Sequence, residues 1–233
     1  MSKMNNKIEE VRIPDGFVVF ISGVPGVGKT TISYELLKKR AEFRIVQETD
    51  LIREVLRGYN DYITERFEDE LSFIFNEIEI TDYTKLFNYE EAMQQCTIMK
   101  KSFENIVFRQ QRKGISSIIN GVHIIPEVMN GIAGNNNIIY INLYINNEEE
   151  IYNRLLSRNP ASYMLNHVPL IFQTNVDLNM SIRKLSQKEV YVFHTIDVTL
   201  LSPEETIAEI MRCIDLRVKN MNCSDRVHKV TKK

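Results

Sequence analysis

The chain is poor in cysteine, and none of its three, Cys96, Cys213 and Cys223, stands in a C-x-x-C spacing. No disulfide framework is expected from them; they read as buried or incidental thiols of a reducing compartment. No apolar run approaches the roughly 20 residues that a membrane-spanning helix needs. Met1 to Glu10 is polar and has no apolar centre, so it does not read as a signal peptide. A cytoplasmic protein is the expectation. Charge of neither sign is in excess: the formal net charge of −2 argues against a general nucleic-acid binder. Internal repeats and low-complexity blocks are missing as well. What remains is ordinary for a folded protein of 233 residues, with 43% hydrophobic and 26% charged residues. That length suits one α/β domain with a core, or such a domain plus a small lid.

One stretch organises the rest: Gly23-Val24-Pro25-Gly26-Val27-Gly28-Lys29-Thr30, followed by Thr31. It fits G-x-x-x-x-G-K-[ST], the phosphate-cradling loop of P-loop NTPases. Gly23, Gly26 and Gly28 let the backbone turn tightly and point N–H groups at an anion. Lys29 is a point charge long enough to reach β- and γ-phosphate oxygens. The Thr30 hydroxyl is a hard oxygen ligand suited to Mg²⁺. The context agrees. Phe17 to Ser22 is a short run of β-formers, and residues 31–40 read as a helix with Ile32, Leu36 and Leu37 on one face.

Further strands are expected at Phe43 to Gln47, Ile115 to Ile119, Ile138 to Ile145 and Ile196 to Leu200. Helices are expected after Asp50, over 90–112, after Asn147 (paired with Glu150), over 177–193 and after the Ser202-Pro203-Glu204-Glu205 capping box. Thr49 or Asp50 is placed to cap the helix that begins beside them. Residues 59–90 are polar, aromatic and irregular, and 159–175 read as loop. Ala92, Cys96, Met99, Phe103, Ile106 and Val107 form an apolar helical stripe that reads as core. An apolar face within 59–110 offers a surface for a homodimer. Strands alternating with helices imply a three-layer α/β sandwich around a five-stranded parallel sheet. The expected organisation is one P-loop kinase domain, nucleoside-monophosphate-kinase-like. Residues 1–14 form a flexible lead-in, about 154–180 a helical lid, and 219–233 a loose basic tail.

In such a sheet, ligands sit beyond the carboxyl ends of the strands. Asp50 and Arg53 therefore fall on the rim of the phosphate loop, with Arg57 one turn further on. Asp50 is placed to orient or deprotonate an acceptor hydroxyl, and Arg53 to hold an anionic substrate. Gly121, at a strand end, allows close approach of a ligand. Arg154 and Arg158, four apart, are placed to neutralise charge on a transferring phosphoryl group. The Asn-Lys-x-Asp signature of guanine recognition is missing, which favours adenine. The residues so far leave several readings open. One is a kinase of a small hydroxyl-bearing anion. Others are a kinase of a nucleoside, of a shikimate- or gluconate-like acid or of a nucleic-acid 5′-hydroxyl, or a nucleotide-binding regulator without turnover.

Three stretches carry a closer likeness. Thr49-Asp50-Leu51-Ile52-Arg53-Glu54-Val55-Leu56-Arg57 resembles the T-D-x-I-R-E-V-x-R stretch of the 2-phosphoglycerate kinase family. Ile118-Ile119-Asn120-Gly121-Val122-His123-Ile124-Ile125-Pro126 is similar to that family's strand end with E-G-V-H, and the phosphate loop resembles it too. The resemblance implies an ATP- and Mg²⁺-dependent kinase that phosphorylates a small anionic molecule such as 2-phosphoglycerate. It implies His123 as a substrate contact beside Gly121. Asn120 departs from the pattern: where the family has a carboxylate, asparagine can be neither a base nor a negatively charged metal partner.

Overall fold

The computed structural model describes residues 11–66, 87–133, 137–189 and 191–230. Residues 1–10 of the expected lead-in, 67–86 of the irregular region and of the expected dimer face, and 231–233 of the tail lie outside them.

The described chain runs β1 (Val18–Ser22), α1 (Lys29–Lys39), β2 (Phe43–Glu48), α2 (Thr49–Arg66), α3 (Tyr89–Arg112), β3 (Ser116–Asn120), α4 (Pro126–Ala133) and β4 (Ile138–Tyr144). It continues through α5 (Glu148–Arg158), a 3₁₀ turn at Tyr163–His167, α6 (Val168–Ser186), β5 (Phe193–Asp197) and α7 (Pro203–Val230). The five strands form one parallel sheet in the order β2-β3-β1-β4-β5. β1 lies at its centre. Val19 pairs with Ile118 on one side and Ile139 on the other.

Strand alternation explains the layers. Val19, Ile21, Ile139 and Ile141 belong to one core cluster with Leu36 of α1 and Ile210 and Ile214 of α7. Val18, Phe20, Ile138 and Tyr140 point the other way, into a cluster with Met99 and Phe103 of α3 and Met129 of α4. Successive side chains leave a strand on opposite faces, so each face needs its own helical cover. Phe20, Tyr140 and Phe193 sit side by side across β1, β4 and β5, with ring centroids 6.5 and 5.4 Å apart. The Tyr140 hydroxyl, deep in this layer, donates to the Ile124 carbonyl at 2.6 Å.

The ends of several elements differ from the sequence reading. β5 starts at Phe193 and stops at Asp197. Asp197 Oδ1 accepts from the Thr199 amide at 3.0 Å, and this side-chain turn takes the backbone out of the sheet before the apolar run through Leu200 is used. α2 continues to Arg66, into the stretch that reads as irregular. α6 begins at Val168, with Pro169 in its first turn, inside a stretch read as loop. At α5, Asn147 caps by accepting from the Glu149 amide at 2.9 Å, whereas Glu150 turns away to Arg154. The capping box of α7 is reciprocal: the Ser202 amide donates to Glu205 at 2.9 Å and the Glu205 amide to Ser202 Oγ at 3.2 Å. The helix it starts runs on to Val230, through the residues from 219 onward that read as loose tail.

Arg40 fastens the end of α1. It is 2% exposed, and its guanidinium donates to Val11 O at 2.8 Å, Glu42 at 3.2 Å and Asp215 of α7 at 3.3 Å.

Candidate active site

The loop after β1 opens at the carboxyl edge of the sheet, beside the strand ends of β2 and β3. Gly23, Gly26 and Gly28 all have positive φ. Gly28 is the N-cap of α1 at φ 92°, and a Cβ there would meet nothing within 4 Å. Its requirement is conformational, since an L side chain rarely adopts that backbone. Gly28 also supplies no side-chain cap to α1. The first-turn amides of α1 therefore face the loop without an intrahelical acceptor, which suits an anion at the positive end of the helix dipole. Lys29 Nζ donates to the Val24 carbonyl at 2.9 Å, folded back over the loop. Burial lowers its pKa to about 8. The negative charge of Asp50 opposes that shift, the guanidinium of Arg158 adds to it and Glu48 opposes it.

A cavity of about 880 Å³ lies in front of this loop. Residues Pro25 to Thr31 form one side. Glu48 and Asp50 with Asn120 and Gly121 form a second. Arg154 and Arg158 of α5 form a third, and Phe87, Val122 and Tyr163 supply apolar surface. Lys29, Thr30, Thr31, Asp50, Gly121, Arg154 and Arg158 are thus brought to one cavity. Gly23 and Val24 do not reach its lining; the Val24 and Val27 side chains are core residues, 3% and 2% exposed.

The two arginines of α5 are not equivalent. Arg154 is held by Glu150 at 2.6 Å and by the carbonyls of Val198 at 2.8 Å and Thr199 at 3.2 Å. Arg158 is exposed on the cavity wall and, among the described residues, makes no hydrogen bond or ion pair.

Arg53, Arg57 and His123 lie off the cavity lining. Arg53 is 1% exposed, its Nη2 bonded to Glu54 at 2.9 Å and its Nη1 3.5 Å from His123 Nε2. Arg57, more than a third exposed, pairs with the other Glu54 oxygen at 3.6 Å. His123 is fully buried; its Nδ1 lies 2.9 Å from Thr49 Oγ1 and 3.5 Å from Asp50 Oδ1. Burial lowers the His123 pKa to about 4, against the pull of Asp50 and with the push of Arg53 and Lys29, so the ring is neutral. Thr49 is the first residue of α2 and turns its hydroxyl to this ring.

Gly121 has a reason that sequence reading did not supply. A Cβ on it would lie 1.6 Å from Thr49 Oγ1, so the start of α2 occupies the space a side chain would need. Glu48 is not among the site residues expected from the sequence. It ends β2, pairs in register with Asn120 and lines the cavity. The signal was there, because a carboxylate at a strand's carboxyl end sits on the ligand rim. Asn120 is 2% exposed, and its Nδ2 has no partner among the described residues. Oxygen donors suited to a hard cation share the cavity: the exposed Thr30 hydroxyl and the carboxylates of Glu48 and Asp50. Among the described residues, no group of three or more His, Cys, Asp or Glu side chains forms an all-protein metal site. No described helix is long and apolar enough to cross a membrane.

Residues 19–164 match the family described as AAA domain. The chain is similar to the 2-phosphoglycerate kinase of Pyrococcus horikoshii, at 26% identity over 215 residues, which cover 89% of this chain and 66% of that protein. It is similar to that of Methanocaldococcus jannaschii at 27% over 215 residues, 88% of this chain and 65% of the relative. The chain therefore spans just under two thirds of the length of these relatives. Solved structures with likeness include a gluconokinase from Sinorhizobium meliloti (TM-score 0.47, 12% identity, 94% of this chain and 99% of that one). Another is a shikimate kinase from Acinetobacter baumannii (TM-score 0.44, 18% identity, 85% and 92%).

Proposed function

Because this chain belongs to the AAA domain family, we propose that it is a phosphotransferase, an ATP- and Mg²⁺-dependent kinase of a small anionic metabolite that bears a hydroxyl. The observation that carries this reading is the shared cavity of Lys29 and Asp50, one on the phosphate loop and one at the start of α2, with the Lys29 ammonium feeling the negative charge of Asp50. A phosphate loop alone serves many reactions; a carboxylate facing its lysine adds a group that an alcohol acceptor needs.

The donor's β- and γ-phosphates would rest on the loop amides and the uncapped first turn of α1, with Lys29 released from Val24 to them. Asp50 accepts the proton of the acceptor hydroxyl as its oxygen bonds to the γ-phosphorus; the bond from that phosphorus to the bridging oxygen breaks and ADP leaves. Arg158 neutralises charge on the group in flight. Mg²⁺, when bound, supplies further charge neutralisation, and the Thr30 hydroxyl is the group that would hold it, with Glu48 and Asp50 on the same cavity. Within the proposed lid of about 154 to 180, the part that lines the cavity, Arg154 to Met164, would exclude water from it. The relatives' name makes 2-phosphoglycerate, converted to 2,3-bisphosphoglycerate, the first acceptor to try.

One observation favours a second reading, a nucleotide binder without turnover. Asn120, at the end of the strand next to β1, offers no negative charge where a metal would need it. ADP release with ATP and Mg²⁺, measured over a panel of phosphorylated and unphosphorylated hydroxy acids and nucleosides, separates the two. Stimulation by 2-phosphoglycerate supports the specific acceptor, and stimulation by another acid reassigns it. ATP binding with no stimulation by any acceptor would overturn the kinase reading.

A further inference from the structure

Arg53 and His123 are buried together behind the cavity wall, and their chemistry decides where one proton sits. A guanidinium has five N–H donors and no acceptor. Its Nη1 lies 3.5 Å from His123 Nε2. That nitrogen must therefore offer a lone pair; an Nε2–H would set two donors against each other. The ring is fully buried and neutral, so its single proton is on Nδ1. Nδ1 is 2.9 Å from Thr49 Oγ1, which accepts from it, and 3.5 Å from Asp50 Oδ1.

Thr49 is fully buried, and its Oγ1, Cβ and Cγ2 occupy the space beside Gly121, 1.6, 2.7 and 2.9 Å from where a Cβ would stand. The Thr49 side chain is thus clamped between the backbone of residue 121 and the ring of residue 123, both just past the end of β3. Asp50 follows Thr49 directly, and its carboxylate is 62% exposed, so little of its own packing holds it.

We propose that His123 is a positioning residue, and that its Nδ1–H tautomer, selected by the buried Arg53, locks the first turn of α2 to the end of β3 and so sets the Asp50 carboxylate over the cavity. This inference rests on the reading of Asp50 as the group that serves the acceptor hydroxyl. Arg53 acts through His123, not on substrate. Lys29, Asp50, Arg53 and Glu54 are the charged groups the ring faces.

Two measurements test it. Long-range ¹H–¹⁵N correlation spectra of the histidine rings at neutral pH, with His123 assigned from its variants, read the tautomer without any need for catalysis. The expected spectrum shows Nδ1 protonated and Nε2 bare; an Nε2–H ring or a doubly protonated one overturns the proposal. The second measurement compares His123→Asn with His123→Gln. The asparagine amide stands where Nδ1 stood and keeps the bond to Thr49; the glutamine amide stands where Nε2 stood and loses it. Hydrogen exchange of the amides over 49–53 should rise at least about tenfold in H123Q and little in H123N. The kcat should fall by about 10- to 100-fold in H123Q, with the ATP KM unchanged. Equal behaviour of the two variants in exchange would overturn the proposal. If no acceptor is phosphorylated by the wild-type protein, the kinase reading fails, while ring spectrum and exchange still decide this one.

Discussion

Gly121 and Thr49 interlock at the base of the cavity: a Cβ on Gly121 would sit 1.6 Å from Thr49 Oγ1 and 2.7 Å from its Cβ. The strand end and the helix start cannot both keep their places if either side chain grows. Gly121→Ala should therefore destabilise the fold by about 1–3 kcal/mol, the usual cost of overpacking, because Thr49 Cβ is too close to its backbone to move cheaply. Urea unfolding reads this, and a midpoint equal to wild type would mean that α2 shifts freely.

The loop lysine and the carboxylate across from it should fail in different ways. Lys29→Ala should weaken nucleotide binding and lower transfer by at least about 100-fold, since a preorganised charge at the phosphates is lost. Asp50→Asn should leave the ATP dissociation constant nearly unchanged and lower transfer by about 10²–10⁴-fold. Calorimetric ATP titration beside the ADP-release assay separates the two. Unchanged turnover in the Asp50 variant would discard it as the proton acceptor.

Arg154 and Arg158 should part company. Arg154 is tied to Glu150 and two backbone carbonyls, so Arg154→Ala should cost about 1–3 kcal/mol of stability by leaving partners unsatisfied. Arg158 is exposed on the cavity wall, so Arg158→Ala should fold as wild type and lose transfer by about 100-fold. Thermal melts and kcat on the same two preparations settle the order.

Acid should expose His123. Its pKa is about 4 in the folded protein against an ordinary 6.5. Between these values the unfolded chain binds a proton that the folded protein refuses, so stability rises with pH through this window and is lost as pH falls from 6.5 toward 4. The loss reaches about 3 kcal/mol at 1.36 kcal/mol per unit. His194, also lowered by burial, contributes the same sign. The difference between wild type and His123→Asn isolates His123: the variant should show a shallower slope in urea unfolding across pH 4–6.5.

Arg40 anchors α1 to α7 and to the chain before β1. A buried cation that loses its partners, or partners that lose their cation, cost about 3–5 kcal/mol. Arg40→Ala should therefore lower stability by that order, while leaving the nucleotide affinity of the remaining folded protein intact.

The parts of the fold legible in the sequence are those that local chemistry settles. The phosphate loop, the buried runs of β1 and β4 and the reciprocal cap at Ser202 and Glu205 all follow from short-range pattern. The helical stripe from Ala92 to Val107 does as well, although Ile106 is only partly buried. What was not legible depends on contacts between distant segments. Arg53 reads as a rim cation in a linear sequence. The turn of α2 puts it instead under the rim, against a histidine 70 residues away. Arg158 and Arg154 look alike on a helix face, and Glu150 together with the carbonyls just past the end of β5 distinguishes them. The early end of β5 came from one side chain, Asp197, that bonds two residues ahead. No periodicity announces such a turn inside an apolar run.

The central position of β1 has a consequence for how the chain is made. The phosphate loop is written within the first 30 residues, but the strand that carries it pairs on one side with residues 117–120 and on the other with 138–142. On the ribosome β1 therefore waits, as an unpaired apolar strand, first for residues 117–120 and then for 138–142 to emerge. Contacts of such sequence separation form slowly. Nucleotide cannot nurse the early stages of synthesis, because its cradle does not exist until the sheet has closed around it.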